Sequence, residues 1–145
     1  MRRKLEAAFI LGMIVAAFFV AVAVFLVPGT QAAGDPINCP SSVVVSGNTA
    51  ATAELVPLVT GKRVRVCGFV LTGAAATTVT LKTGTGANCG SGTTNLTGAM
   101  GFGTTTFVTY SGGVAPVLST PVSQALCWTN SATQQVSGVL TYGQY

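Results

Sequence analysis

Four cysteines, Cys39, Cys67, Cys89 and Cys127, are the residues of this chain best suited to covalent chemistry. They could form a redox dithiol, a zinc site or a pair of disulfides. A redox dithiol wants a Cys-x-x-Cys spacing, and no two of the four stand that close. Zinc wants close ligand pairs and commonly imidazole, and the chain has no histidine. Two disulfides are therefore expected, with three connectivities open to them. The one adopted pairs them in chain order, Cys39–Cys67 and Cys89–Cys127. Each closes a loop of roughly 30–40 residues and contributes about 3–4 kcal/mol in the chain-entropy picture.

The acid and base inventory is thinner still. Without histidine there is no Ser-His-Asp or Cys-His arrangement and no imidazole general base. The carboxylates are Glu6, Asp35 and Glu54. A glycosidase needs two of them across one bond, and Asp35 lies in a linker-like stretch. A Ser-Lys hydrolase with Lys62 or Lys82 as base is the enzyme reading that survives, and a site of carbonyl and amide oxygens for calcium is the weak metal option. The expectation is no catalytic residue, no metal and no cofactor, in a protein that is not an enzyme.

The elements that would position these residues begin with an export segment. Arg2-Arg3-Lys4 is a basic start, Ala7–Val27 is apolar apart from Gly12, and Pro28-Gly29 precedes the small-residue tract Thr30-Gln31-Ala32-Ala33. Residues 1–32 read as a signal peptide cleaved after Ala32. They also read as a signal anchor, because the apolar run is long enough at about 1.5 Å per residue to cross a bilayer. Both readings put the remainder outside the cytoplasm, extracellular or membrane-anchored, with residues 7–27 meeting the membrane if uncleaved. A pilin-type helix opening at Glu6 is a third reading and lacks the matching processing site. The Arg2-Arg3 pair is weak support for export of a folded domain.

Residues 33–41 form a linker, and 42–145 carry the pattern of a single domain. Charged residues are 7% of the chain against a usual ~25%. Beyond the export segment four basic side chains stand against two carboxylates, which is no footprint for nucleic acid. Short β-patterned runs follow one another: Ser42–Val45, Thr49–Leu55, Lys62–Leu71, Thr77–Thr83, Leu96–Phe102, Thr104–Tyr110, Val114–Leu118, Ala125–Thr129 and Val136–Tyr142. Turn residues separate them, and no amphipathic helix competes. The fold expected is all-β: one antiparallel β-sandwich, jelly-roll-like, of about 8–9 short strands, preceded by an N-terminal hydrophobic helix. The Cys-Trp-Cys order of immunoglobulin domains is missing, since Trp128 follows the last cysteine. Gly84–Gly92 reads as a glycine-rich loop without the lysine and helix of a phosphate cradle. In Lys62–Leu71, Val64, Val66 and Val70 share one parity, while Arg63, Arg65, Cys67, Phe69 and Leu71 share the other.

The runs Val66-Cys67-Gly68-Phe69-Val70-Leu71-Thr72, Gly84-Thr85-Gly86-Ala87-Asn88-Cys89-Gly90-Ser91-Gly92-Thr93-Thr94-Asn95-Leu96-Thr97-Gly98-Ala99, Ser123-Gln124-Ala125-Leu126-Cys127 and Gly138-Val139-Leu140-Thr141-Tyr142 carry a resemblance. Over about Val43–Tyr145 the chain resembles a family of uncharacterised small cysteine-containing β-proteins of phage, prophage-associated and environmental bacterial sequences. The resemblance implies a virion- or surface-associated β-module and no particular reaction. The export segment departs from the phage setting and favours a secreted or cell-surface version.

Binding is the chemistry left. Tyr110, Trp128, Tyr142 and Tyr145, with Asn88, Asn95, Gln134 and Gln144, supply the rings and amides that stack on sugars and bridge their hydroxyls. Trp128, Tyr110, Tyr142 and Asn88 are the ligand-binding candidates; against this, Trp128 and Tyr142 suit a core or its rim. Lys62, Arg63 and Arg65 could grip an acidic glycan or lipid headgroup, or could solvate a strand edge. Asn95-Leu96-Thr97 is a glycosylation sequon if the source is eukaryotic. The function expected is an exported structural or interaction module, on the cell surface, secreted or virion-associated, self-associating through strand edges. The alternative is a carbohydrate-binding module for a cell-surface glycan.

Overall fold

The computed structural model describes residues 38–104, 106–113 and 115–145. The export segment expected at 1–32, with the hydrophobic helix and the membrane contact through 7–27 expected of it, and most of the expected 33–41 linker lie outside the described residues. Among the described residues no helix is long and apolar enough to cross a membrane.

The described chain is all-β, as its Val/Thr alternation requires, in two antiparallel sheets of ten strands: β1 Ser41–Gly47, β2 Thr52–Val56, β3 Val64–Gly73, β4 Thr77–Thr85, β5 Ser91–Asn95, β6 Met100–Phe102, β7 Thr106–Ser111, β8 Leu118–Ser119, β9 Ala125–Asn130 and β10 Val136–Gln144. Sheet A runs β1-β10-β3-β7, with β8 beside the first half of β3. Sheet B runs β2-β9-β4-β5, with β6 beside the first half of β4. The two sheets thus share one plan: two long central strands, one single edge and one edge divided between two short strands.

Inward residues of both sheets meet in one core. Val45, Val66, Leu71, Val136 and Leu140 from sheet A pack with Val56, Val79, Leu81, Leu126 and Trp128 from sheet B. The strands alternate as half-buried strands should, and β4 shows it most cleanly, with Thr77, Val79, Leu81 and Thr83 buried and Thr78, Thr80 and Lys82 half-exposed. Gly138 lies at the crossing of β10 and β3, where a Cβ would come within 2.0 Å of the Val70 carbonyl oxygen; a larger residue would push the strands apart.

The parity expected for β3 is corrected by a bulge. In the β10 ladder Thr141 faces Gly68 and Tyr142 faces Val66, so Cys67 is the extra residue. The bulge moves the buried set from Val64 and Val66 to Phe69, Leu71 and Gly73, and turns Val70 outward. One strand can therefore start with arginine and end apolar on what the sequence reads as a single face.

Other boundaries also move. The run Leu96–Phe102 shortens to Met100–Phe102, because Leu96–Ala99 leaves the ladder after β5: the Leu81 N–H donates to the Thr97 hydroxyl at 3.0 Å, and the Leu96 N–H donates to the Leu81 carbonyl at 2.8 Å. Of the described residues in the run Val114–Leu118 only Leu118 is in a strand, as part of β8, and Thr49–Leu55 begins only at Thr52. The Gly84–Gly92 loop is the end of β4, a 3-10 turn Ala87–Cys89 and the start of β5. Buried Asn130 organises the return from β9 to β10: its Oδ1 accepts from the Thr77 hydroxyl at 2.6 Å and its Nδ2 donates to the Gln134 carbonyl at 2.8 Å.

Candidate interaction surfaces

Two disulfides, Cys39–Cys67 and Cys89–Cys127, are formed, with Cα separations of 6.3 and 6.2 Å inside the range the bond allows. They act on different sheets. Cys89–Cys127 lies on the outer side of sheet B, where Cys89, Ala125 and Cys127 make a small buried cluster of their own. Strand β9 is consequently covered on both faces, Leu126 and Trp128 by the main core and Ala125 and Cys127 by the 3-10 turn. The turn can come so close because position 84 is glycine, where a Cβ would stand 2.9 Å from that of Cys89. Cys39–Cys67 ties the residues before β1 to the bulge of β3.

The four ligand-binding candidates are not brought together. Trp128 is only 3% exposed, which corrects its reading as a ligand platform: the ring crosses the core to Gly47, where a Cβ would meet it at 2.8 Å. Tyr142 is half-buried against the same core. Asn88 is exposed at φ 50°, and its Oδ1 accepts the Glu54 N–H at 3.2 Å, so the amide fastens the 3-10 turn to β2. Tyr110, on β7, is 59% exposed and stacks on Phe69 with ring centroids 6.0 Å apart.

The outlying candidates serve the framework. The Gln144 amide donates to the Pro57 carbonyl at 2.9 Å. The Tyr145 hydroxyl donates to the Asn38 carbonyl, and its ring lies under the Arg65 guanidinium at 5.2 Å. Arg65 is thereby engaged at the chain terminus, while Lys62 and Arg63 stay exposed. Asn95 is exposed on β5.

Tyr110 borders an apolar cleft of about 360 Å³ at the divided edge of the sandwich, where Phe69, Val108 and Leu118 of sheet A face Met100 of sheet B and Thr97 of the segment before it. The Thr97 hydroxyl already accepts from Leu81. Among the described residues no group of three or more histidine, cysteine, aspartate or glutamate side chains is gathered for a metal.

The larger surface is one that single strands do not reveal. Register aligns the outward residues of sheet A in three rows: Ser42–Thr141–Gly68–Ser111, Val44–Val139–Val70–Thr109 and Ser46–Ser137–Thr72–Phe107. No position in this grid is charged, and Val44, Val70, Val139 and Phe107 are 70, 47, 47 and 67% exposed. A shallow depression floored by Gly68 opens beside Tyr110 within it. On sheet B the corresponding central row is Glu54–Cys127–Lys82–Asn95, charged and crossed by the disulfide. Compared with protein-family models and with curated proteins, the chain matches none.

Proposed function

We propose that this chain is an exported, non-enzymatic structural or interaction module, displayed on the cell surface, secreted or carried on a particle, and that it makes its contacts through sheet A. The observation that carries the reading is the uncharged outer grid of sheet A, with its exposed Val44–Val139–Val70 row. Depletion of charge marks the central part of protein interfaces, and a row of exposed valines has no use in a solvated face. We read the order β1-β10-β3-β7 facing β2-β9-β4-β5 as a jelly roll, an architecture of capsid and lectin domains; the analogy carries no activity by itself. Export is supported by the two disulfides, which persist in oxidising compartments, and by the basic-then-apolar residues 2–27.

The test is Val139→Glu with Thr109→Glu in the full chain. Both sites face outward, so the melting temperature should stay within a few degrees of the parent while attachment to the cell surface or particle is lost. Undiminished attachment overturns the reading, and so does recovery of the native protein from the cytosol with four free thiols.

A second reading, carbohydrate binding, is favoured by Tyr110 alone, whose exposed ring stands beside an apolar cleft. A glycan array separates the two: a hit lost in Tyr110→Ala and kept in Val139→Glu belongs to the cleft and not to the grid.

A further inference from the structure

Strand β1 is an unusual edge. It is seven residues long, free of charge, proline and bulge, and among the described residues β10 is the only strand that pairs with it. The other edges are interrupted. On β2 the register shifts at Leu55, Glu54 is charged, and the Asn88 amide occupies a backbone N–H. On β5 a register shift and Gly92 break the line, and the β7–β8 edge is divided by residues 112–117. Natural sheets ordinarily defend an open edge with such devices, and among the described residues β1 has none.

Its sequence is also self-complementary. Ser42-Val43-Val44-Val45-Ser46 reads the same in both directions about Val44. We propose that β1 pairs antiparallel with β1 of a second copy of this chain across a two-fold axis at Val44, joining two A sheets into one continuous sheet. The inference rests on the reading of the domain as an interaction module and names its partner.

Two-fold pairing sets Val44 against Val44, Val43 against Val45 and Ser42 against Ser46. Every pair keeps its face: Val43 and Val45 point to the core side, Ser42, Val44 and Ser46 to the outer side. Half-buried Val43 gains cover, and the row Val70–Val139–Val44 continues unbroken into its symmetry mate. An isologous contact of this kind closes on itself. The approach is clear on the described side, because Cys39–Cys67 and the bond from Tyr145 to Asn38 draw residues 38–40 over the end of β10 toward β3, away from the outer edge of β1.

Val44→Cys in the full chain, exported and purified without reductant, tests the arrangement. Directly opposed residues in antiparallel strands have Cα atoms about 4.5–5.5 Å apart, within disulfide range. The expected result is a covalent dimer in which peptide mapping finds the two introduced thiols joined to each other and both native disulfides intact, while Val139→Cys, on the same face one strand inward, stays uncrosslinked. Val44→Lys sets two ammonium groups on the axis and should abolish the parent dimer in sedimentation without lowering the melting temperature. Absence of the cross-link in Val44→Cys, or equal cross-linking in Val139→Cys, overturns the proposal. If the parent still associates or attaches to its surface in that case, the interaction-module reading stands and only its β1 partner falls; a parent that is monomeric and attaches to nothing sinks both.

Discussion

Sheets A and B are built to one strand plan and finished differently. Sheet B carries a disulfide and a 3-10 turn on its outer side, a charge at each of Glu54 and Lys82, and a register shift in each of its edge strands β2 and β5. Sheet A has its disulfide only at one margin, by the β3 bulge, and leaves its three outer rows neutral and its β1 edge regular. The contrast teaches where the molecule concentrates its reinforcement. The covered sheet behaves as a foundation, held on both sides, and the bare sheet is free to be a contact surface because its strands are already fixed from within.

The contrast between the sheets can be broken at several depths. The largest effect belongs to the ring that joins them. Trp128→Ala should cost about 3–5 kcal/mol in urea unfolding, whereas Tyr110→Ala should cost less than about 1 kcal/mol, since its ring is mostly in solvent. Similar losses for both would mean that the Tyr110 edge is as much a part of the core as β9.

Removing the disulfides asks the same of the two sheets directly. Cys89→Ser with Cys127→Ser strips the cover from Ala125 and the middle of β9 and should cost about 4 kcal/mol. Cys39→Ser with Cys67→Ser, at a partly exposed margin, should cost about 2–3 kcal/mol. The chain-entropy difference between closures of 28 and 38 residues is small, so a reversed order would place the main support on sheet A.

The finest test compares single surface positions. Asn88→Ala removes the amide that holds the turn to β2 and a residue suited to positive φ, and should cost about 1–2 kcal/mol. Val139→Thr on sheet A should change stability by no more than about 0.5 kcal/mol, read from paired denaturant titrations.

Much of this plan is legible in the residues. Thr77–Thr83 announces its buried and wet faces by strict alternation, while β9, with Leu126 and Trp128 on one parity and Cys127 on the other, leaves open an exposed large side chain or cover on both faces, and the structure has the second. What could not be read are the features that depend on a partner strand. The bulge at Cys67 exists only against β10, and without it the parity of Phe69 and Leu71 comes out reversed. Thr97 leaves its strand because Leu81 offers it a backbone N–H. The outer grid of sheet A is assembled mostly from serines, threonines and valines on four strands, each ordinary when taken alone, and only register collects them. Trp128 was legible only as a choice between ligand platform and core: ring chemistry says what it could hold, while its burial is decided by the space facing Gly47.

The tie between Cys39 and Cys67 also sets a load path. A pull arriving along the chain at Asn38 is passed through the covalent bridge into β3, a strand hydrogen-bonded on both sides, and does not peel β1 from β10. Tension from a tether upstream would then be borne by the middle of the sheet, and the β1 margin would stay in register under strain.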